Sequence, residues 1–138
     1  VELEFAIHWG EMDAYRHVNN IVYFRWFESA RMSYFLTIGW PEIEARCGIG
    51  PILHSTSARF LLQLTFPDRV KVRAGVGAVE ADRFVMRYEV SSVLRGRLAC
   101  YGEGVIVAYD YRVGQKTKLP EVLRKRIAEL EENPGFFE

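Results

Sequence analysis

The chain has no surplus of either charge to offer a partner: 18 lysines and arginines balance 18 aspartates and glutamates, for a formal net charge of zero. Without a basic excess or any motif of the basic folds, there is no footprint for nucleic acid. Cysteine is scarce. Cys47 and Cys100 are the two present, and with three separated histidines they make no metal-ligand spacing. Each reads as a free thiol of a reducing cytosol, buried or partly buried. No charged-then-apolar leader opens the sequence, so the expected location is cytoplasmic. The longest apolar stretch, 21–36, carries Arg25, Glu28 and Arg31, which argues against a membrane span. A Gly-x-Ser-x-Gly elbow is missing, and with it a serine-hydrolase reading. So is a Gly-rich phosphate loop ahead of a helix: Gly102-Glu103-Gly104 falls inside a strand pattern. Internal repeats and low-complexity tracts are absent as well.

What is present is enough for one domain over residues 1–138, with 49% hydrophobic and 26% charged residues. Leu3, Phe5, Ile7 and Trp9 alternate with Glu2, Glu4, Ala6 and His8 as a strand with one apolar face, ended by Gly10. A helix follows over 21–36, with Gly39 and Pro41 as its stop. Residues 41–50 read as a loop or a short helical turn. Alternation returns from Ile52, with Ile52, His54, Thr56, Ala58, Phe60, Leu62 and Leu64 on one face. Pro67-Asp68 turns the chain into a strand with Val70, Val72, Ala74, Val76 and Ala78 on one face and Arg69, Lys71 and Arg73 on the other. Phe84, Met86, Tyr88 and Val90 mark the next strand, and Leu94-Arg95-Gly96-Arg97 the next hairpin. The last strand spans Leu98 to Tyr109, where Gly102 and Gly104 imply a bend, a bulge or a close backbone approach. Pro120 opens an amphipathic helix with Leu119, Leu123, Ile127 and Leu130 on one side, ended by Asn133-Pro134-Gly135. One strand, a buried helix, then four strands joined by tight turns give an α+β fold: an antiparallel five-stranded sheet wrapped around the helix, with a second helix at the C-terminus.

The chemistry concentrates in Asp13-Ala14-Tyr15-Arg16-His17-Val18-Asn19-Asn20, directly ahead of the helix. Asn19 suits the N-cap, and the helix start beside it leaves unpaired N–H groups and a partial positive charge near a carboxylate. That combination can polarise a carbonyl and attack it. Asp-x-x-x-His-Val-Asn-Asn-x-x-Tyr, followed by an aromatic helix with Glu28, Ala30 and Arg31, resembles the hotdog-fold acyl-CoA thioesterases. It is most similar to the branch typified by 4-hydroxybenzoyl-CoA thioesterase. The resemblance runs from about Phe5 to Tyr109, with the motif as its specific part. One departure is Arg16, where many members have Gly.

The resemblance implies a hotdog fold, hydrolysis of an acyl-CoA to free acid and coenzyme A, and a homodimer or homotetramer whose protomers join sheet edge to sheet edge. It implies no metal or redox cofactor beyond the coenzyme A of the substrate, and no nucleic-acid or membrane partner. Asp13 matches the catalytic aspartate, as nucleophile or as general base, against the plain alternative of a turn acid bonding local N–H groups. Asn20 matches the residue whose backbone N–H polarises the thioester carbonyl. His17 is either a base or a ring bonded to a backbone carbonyl that steadies Asp13. Tyr23 and Trp26 line an acyl pocket or are core. Arg16 implies either a reshaped loop or a side chain reaching a ligand, since left-handed backbone is costly for Arg. Coenzyme A phosphates call for basic residues, of which Arg59, Arg69, Lys71, Arg73, Arg95 and Arg97 are candidates by type. His54 is a core residue or approaches a partner's site. The other functions open to the same residues are an acyl-thioester dehydratase or hydratase, with His17 moving protons beside Asp13, and a non-catalytic acyl-CoA-binding domain.

Overall fold

In the computed structural model, which describes residues 1–132, the alternating segments pair into one antiparallel sheet. Its strands are β1 (Glu2–Ala6), β2 (Ile49–Phe60), β3 (Arg69–Val79), β4 (Arg83–Ser92) and β5 (Arg97–Asp110), in the order β1-β3-β4-β5-β2. A two-residue strand β6 (Gln115–Lys116) folds back on β5, so the sheet has six strands where five are expected. The helices are α1 (Asn20–Thr37), α2 (Trp40–Cys47) and α3 (Glu121–Glu131). The expected stop at Asn133-Pro134-Gly135 lies outside the described residues.

One face of the curled sheet is loaded with apolar side chains, covered by α1 together with Trp40 of α2 and the apolar side of α3. Val70, Val72 and Ala74 of β3 and Phe84, Met86, Tyr88 and Val90 of β4 are fully buried. Tyr23, Phe27, Ala30 and Tyr34 of α1 meet them, and Phe27 stacks on Tyr88 with ring centroids 4.6 Å apart. Gly102 is required here. A Cβ on it would lie 2.5 Å from the Phe27 ring and 2.5 Å from the Ser57 carbonyl oxygen, so of the three expectations for this glycine, close approach is the one realised. This long helix held in a curled antiparallel sheet is the hotdog architecture.

Four local features depart from the alternation. Trp9 leaves β1 for a 3-10 turn, Trp9–Glu11, and stands 72% exposed. Residues 40–47 form a full helix, pinned where the Trp40 Nε1–H donates to the Ile49 carbonyl at 3.0 Å. β2 slips register between Leu53 and Ser55, leaving His54 as the bulged, exposed residue. Side-chain parity changes across the bulge, so Leu53 faces inward with its partner Ile106, and Ile52 joins the outer face. Finally, β2 stops at Phe60. Leu61 and Leu62 both donate to the Ala99 carbonyl, at 2.8 and 3.1 Å, and the chain leaves the sheet.

α1 is not covered all round. Ile21 and Leu36 are each 65% exposed and Met32 49%, a stripe that the single chain leaves open. β2, at one margin of the sheet, also has a free edge among the described residues. The basic outer face is largely neutralised: Arg69 pairs with Glu4 at 2.7 Å and Arg73 with Glu89 at 3.4 Å. No helix among the described residues is long and apolar enough to cross a membrane.

Candidate active site

Between the end of the 3-10 turn and the start of α1, the chain makes a tight turn built by its own backbone. The Asp13 N–H donates to the His17 carbonyl at 2.9 Å, and the Arg16 N–H donates back to the Asp13 carbonyl at 3.0 Å. Closing it puts Arg16 at φ 65°, the only non-glycine residue in the left-handed region among those described. Arg16 therefore adopts the backbone a glycine would take, and the loop is not reshaped around it. The turn is tied to its surroundings by the Val18 N–H on the Leu64 carbonyl, 2.8 Å, and the Asn19 N–H on the Glu11 carbonyl, 2.9 Å.

Asp13 is exposed. One carboxylate oxygen, Oδ1, accepts the Tyr15 N–H at 2.9 Å. The other has no donor among the described residues. Asn19 is the N-cap of α1, its side-chain oxygen accepting the Ile21 N–H at 3.0 Å. The cap satisfies the N–H of the second helical residue and leaves that of the first, Asn20, with no acceptor among the described residues. Asp13 and Asn20 both line one cleft of about 480 Å³. Its lining brings Asp13, Tyr15, His17, Val18, Asn20 and Tyr23, from the motif and α1, together with Phe60, Leu61, Leu62 and Gln63, from the end of β2 and just beyond it. A carboxyl group and an unpaired helix-end N–H on residues that line one cleft can direct water, or the carboxylate itself, at a carbonyl carbon while the amide draws charge onto its oxygen.

The remaining candidates fall into place differently. The backbone of His17, not its ring, steadies Asp13; the residue lines the cleft, and its imidazole donates to no carbonyl among the described residues. Tyr23 is buried, edge-on to Trp26 and to Phe60 at centroid distances of 5.2 and 5.0 Å. Burial pushes its hydroxyl well above the usual tyrosine range, against a smaller opposing effect of a backbone hydrogen bond with Leu64. Tyr23 thus joins the cleft lining as a neutral residue. Trp26 does not reach that cleft: it lines a separate cavity of about 210 Å³ with Phe5, His8, Glu11, Arg25 and Ser29. Asn19 is the cap and no part of the lining. Arg16 and Arg59 are exposed and border the lining residues in sequence without joining them.

The motif itself does not reveal the rest of the lining. Phe60, Leu61, Leu62 and Gln63 read as continuation of a strand, and only the double donation to Ala99 shows that the chain turns there to face the helix end. Tyr15, which also lines the cleft, looks like no more than a spacer within the motif. Among the described residues, no group of three or more His, Cys, Asp or Glu is placed to hold a metal ion.

The model of a protein family described as the thioesterase-like superfamily matches residues 7–127. The chain belongs to the thioesterase-like superfamily. The class of chemistry it shares is thioester hydrolysis. Among solved structures, a thioesterase from Thermus thermophilus, complexed with coenzyme A and Zn, is 26% identical; it aligns over 97% of this chain and 96% of its own, with a TM-score of 0.83. The PA2801 protein of Pseudomonas aeruginosa is 25% identical over 91% of this chain and 96% of its own, TM-score 0.79. A DHNA-CoA thioesterase from Staphylococcus aureus shares the fold at 20% identity, over 95% of this chain and 90% of its own, TM-score 0.82. Among curated proteins none matches at a significant level. Within the superfamily match, residues 7–127 include the whole of the Asp13 turn, α1 and the cleft.

Proposed function

We propose that this protein hydrolyses acyl-CoA thioesters to free acid and coenzyme A in the cleft headed by α1. The observation that carries the reading is that one cleft is lined both by Asp13, with an uncommitted carboxylate oxygen, and by Asn20, with an unpaired N–H. The Asn20 amide accepts the developing negative charge of the carbonyl oxygen. Asp13 either takes a proton from the attacking water or attacks the carbonyl, expelling the thiolate and leaving a mixed anhydride for water to cleave. Neither route uses a metal or redox cofactor. That the Thermus structure, 26% identical, is complexed with coenzyme A supports coenzyme A as the carrier.

The functional unit in this reading is a homodimer or a tetramer built from it. The free β2 edge, the open stripe of Ile21, Met32 and Leu36, and the exposure of Phe60 at 47% and Leu61 at 55% on the cleft wall are apolar surfaces that a second copy would cover.

Because His17 lines the same cleft as Asp13, a second reading, proton transfer at carbon as in a hydratase, has a specific feature in its favour. A thiol-release assay over short, long and aromatic acyl-CoAs, with mass spectrometry of the products, decides between them. Free acid and coenzyme A are expected. Enoyl or hydroxyacyl thioester products would establish the second reading. Binding without thiol release would reduce the domain to an acyl-CoA-binding module.

A further inference from the structure

We infer that Thr65 is a positioning residue for this reaction: its hydroxyl clamps the carbonyl of Arg16 and so holds the Asp13 turn in place against the cleft. The inference rests on the role of Asp13 proposed above. Arg16 sits at φ 65°, a conformation that costs a residue with a Cβ roughly 1 kcal/mol or more. Strain of that kind persists only where the surroundings over-determine it. The turn's own bonds, Asp13 to His17 and Arg16 to Asp13, are backbone closures available to any sequence. From outside residues 13–17, the one side chain among those described that reaches this backbone is Thr65, whose Oγ1 donates to the Arg16 carbonyl at 3.1 Å.

The hydroxyl has a single proton. Its other acceptor within reach, the Met12 Sδ at 3.5 Å, is the weaker, so the carbonyl holds it. Thr65 is well anchored to do this, because its neighbour Leu64 already accepts the Val18 N–H at 2.8 Å. It does not line the cleft. Its influence on the reaction therefore passes through Arg16 to the Asp13 carboxylate, for which small displacements are costly in rate.

The test compares Thr65→Val, which keeps the shape and loses the donor, with Thr65→Ser, which keeps the donor. Each is made in the wild-type and the Arg16→Gly background. In the wild-type background Thr65→Val lowers kcat about tenfold with KM changed by less than about twofold, and Thr65→Ser restores it. In the Arg16→Gly background, where the left-handed backbone carries no penalty, the same substitution costs far less; that non-additivity is the signature of a clamp acting on strain. Amide exchange at Asp13 and Arg16 speeds up in Thr65→Val while exchange in β4 stays as it was. A wild-type kcat in Thr65→Val, an equal loss in both backgrounds, or unchanged exchange at Arg16 overturns the inference. Should Asp13→Asn turn over like wild type, the hydrolytic reading fails separately, and the exchange measurement still decides the clamp.

Discussion

Asp13 and Asp68 both sit in turns of this protein, and they are put to opposite use. Asp68, in the connection from β2 to β3, has both oxygens occupied: Oδ1 accepts the N–H groups of Arg69 and Leu94 at 2.6 and 3.0 Å, and Oδ2 accepts the hydroxyl of the buried Ser92. Burial pushes this carboxyl up, but the bonds from Ser92, Leu94 and Arg69 together outweigh it and hold the group below the ordinary aspartate range. It ties the β4–β5 hairpin to the β3 entry. Asp13, which lines the cleft, spends one oxygen on its own turn and keeps the other free of donors among the described residues, a short distance along the chain from an amide that is equally unspent. Saturated polar groups stabilise; a pair left unsaturated on a cleft wall is available to a substrate.

The comparison is sharpened most by removing the free amide. Asn20 is the first residue of α1 and Asn19 before it has φ −61° and ψ 137°, a backbone compatible with a following proline. Asn20→Pro therefore deletes the N–H and keeps the helix. Turnover is expected to fall about 10²–10³-fold, with an unchanged far-ultraviolet circular dichroism spectrum, while Asn20→Ala, which keeps the amide, stays near wild type. Equal activity in the two variants would break the assignment of that donor.

The saturated side of the comparison predicts a loss of stability and not of rate. Asp68→Ala should cost about 2 kcal/mol, read as a lower midpoint in urea, with kcat preserved. Because the folded-state pKa of Asp68 is lowered, its contribution is present above the ordinary aspartate value of about 4 and is lost as pH falls through the lowered one. The stability gap between wild type and Asp68→Ala should therefore close in acid. A gap that widened there would contradict the bonding described. The smallest effect belongs to Arg16→Gly. Relief of the left-handed backbone, partly offset by the flexibility of glycine in the unfolded chain, should raise stability by no more than about 1 kcal/mol. A fall would mean that the guanidinium contributes packing that outweighs the strain.

Much of this was legible in the sequence because it depends on local pattern. Asn19 and Gly39 bracket α1 as caps should, β4 buries Phe84, Met86, Tyr88 and Val90 as its alternation requires, and Arg16 occupies the backbone that its place in the motif implies. What escaped was set by other parts of the chain. The bulge at His54 changes which side chains of β2 face inward, and nothing in an alternating sequence marks the residue that will be left unpaired. Trp9 continues the strand pattern, yet the chain turns out of the sheet before reaching it. Trp26 and Tyr23, three residues apart on α1, open on different cavities, because each depends on the strand packed beside it. The part of the cleft lining from Phe60 to Gln63 is brought to the motif only by the fold.

The most direct test of the central claim is thiol release by Asp13→Asn beside wild type, on the acyl-CoA that wild type cleaves fastest. Asparagine keeps the acceptor for the Tyr15 N–H and hence the turn, so the variant should unfold at the wild-type urea concentration while its turnover drops at least about 10²-fold. A variant that folds as well and releases thiol at the wild-type rate would contradict the assignment of the reaction to this carboxylate.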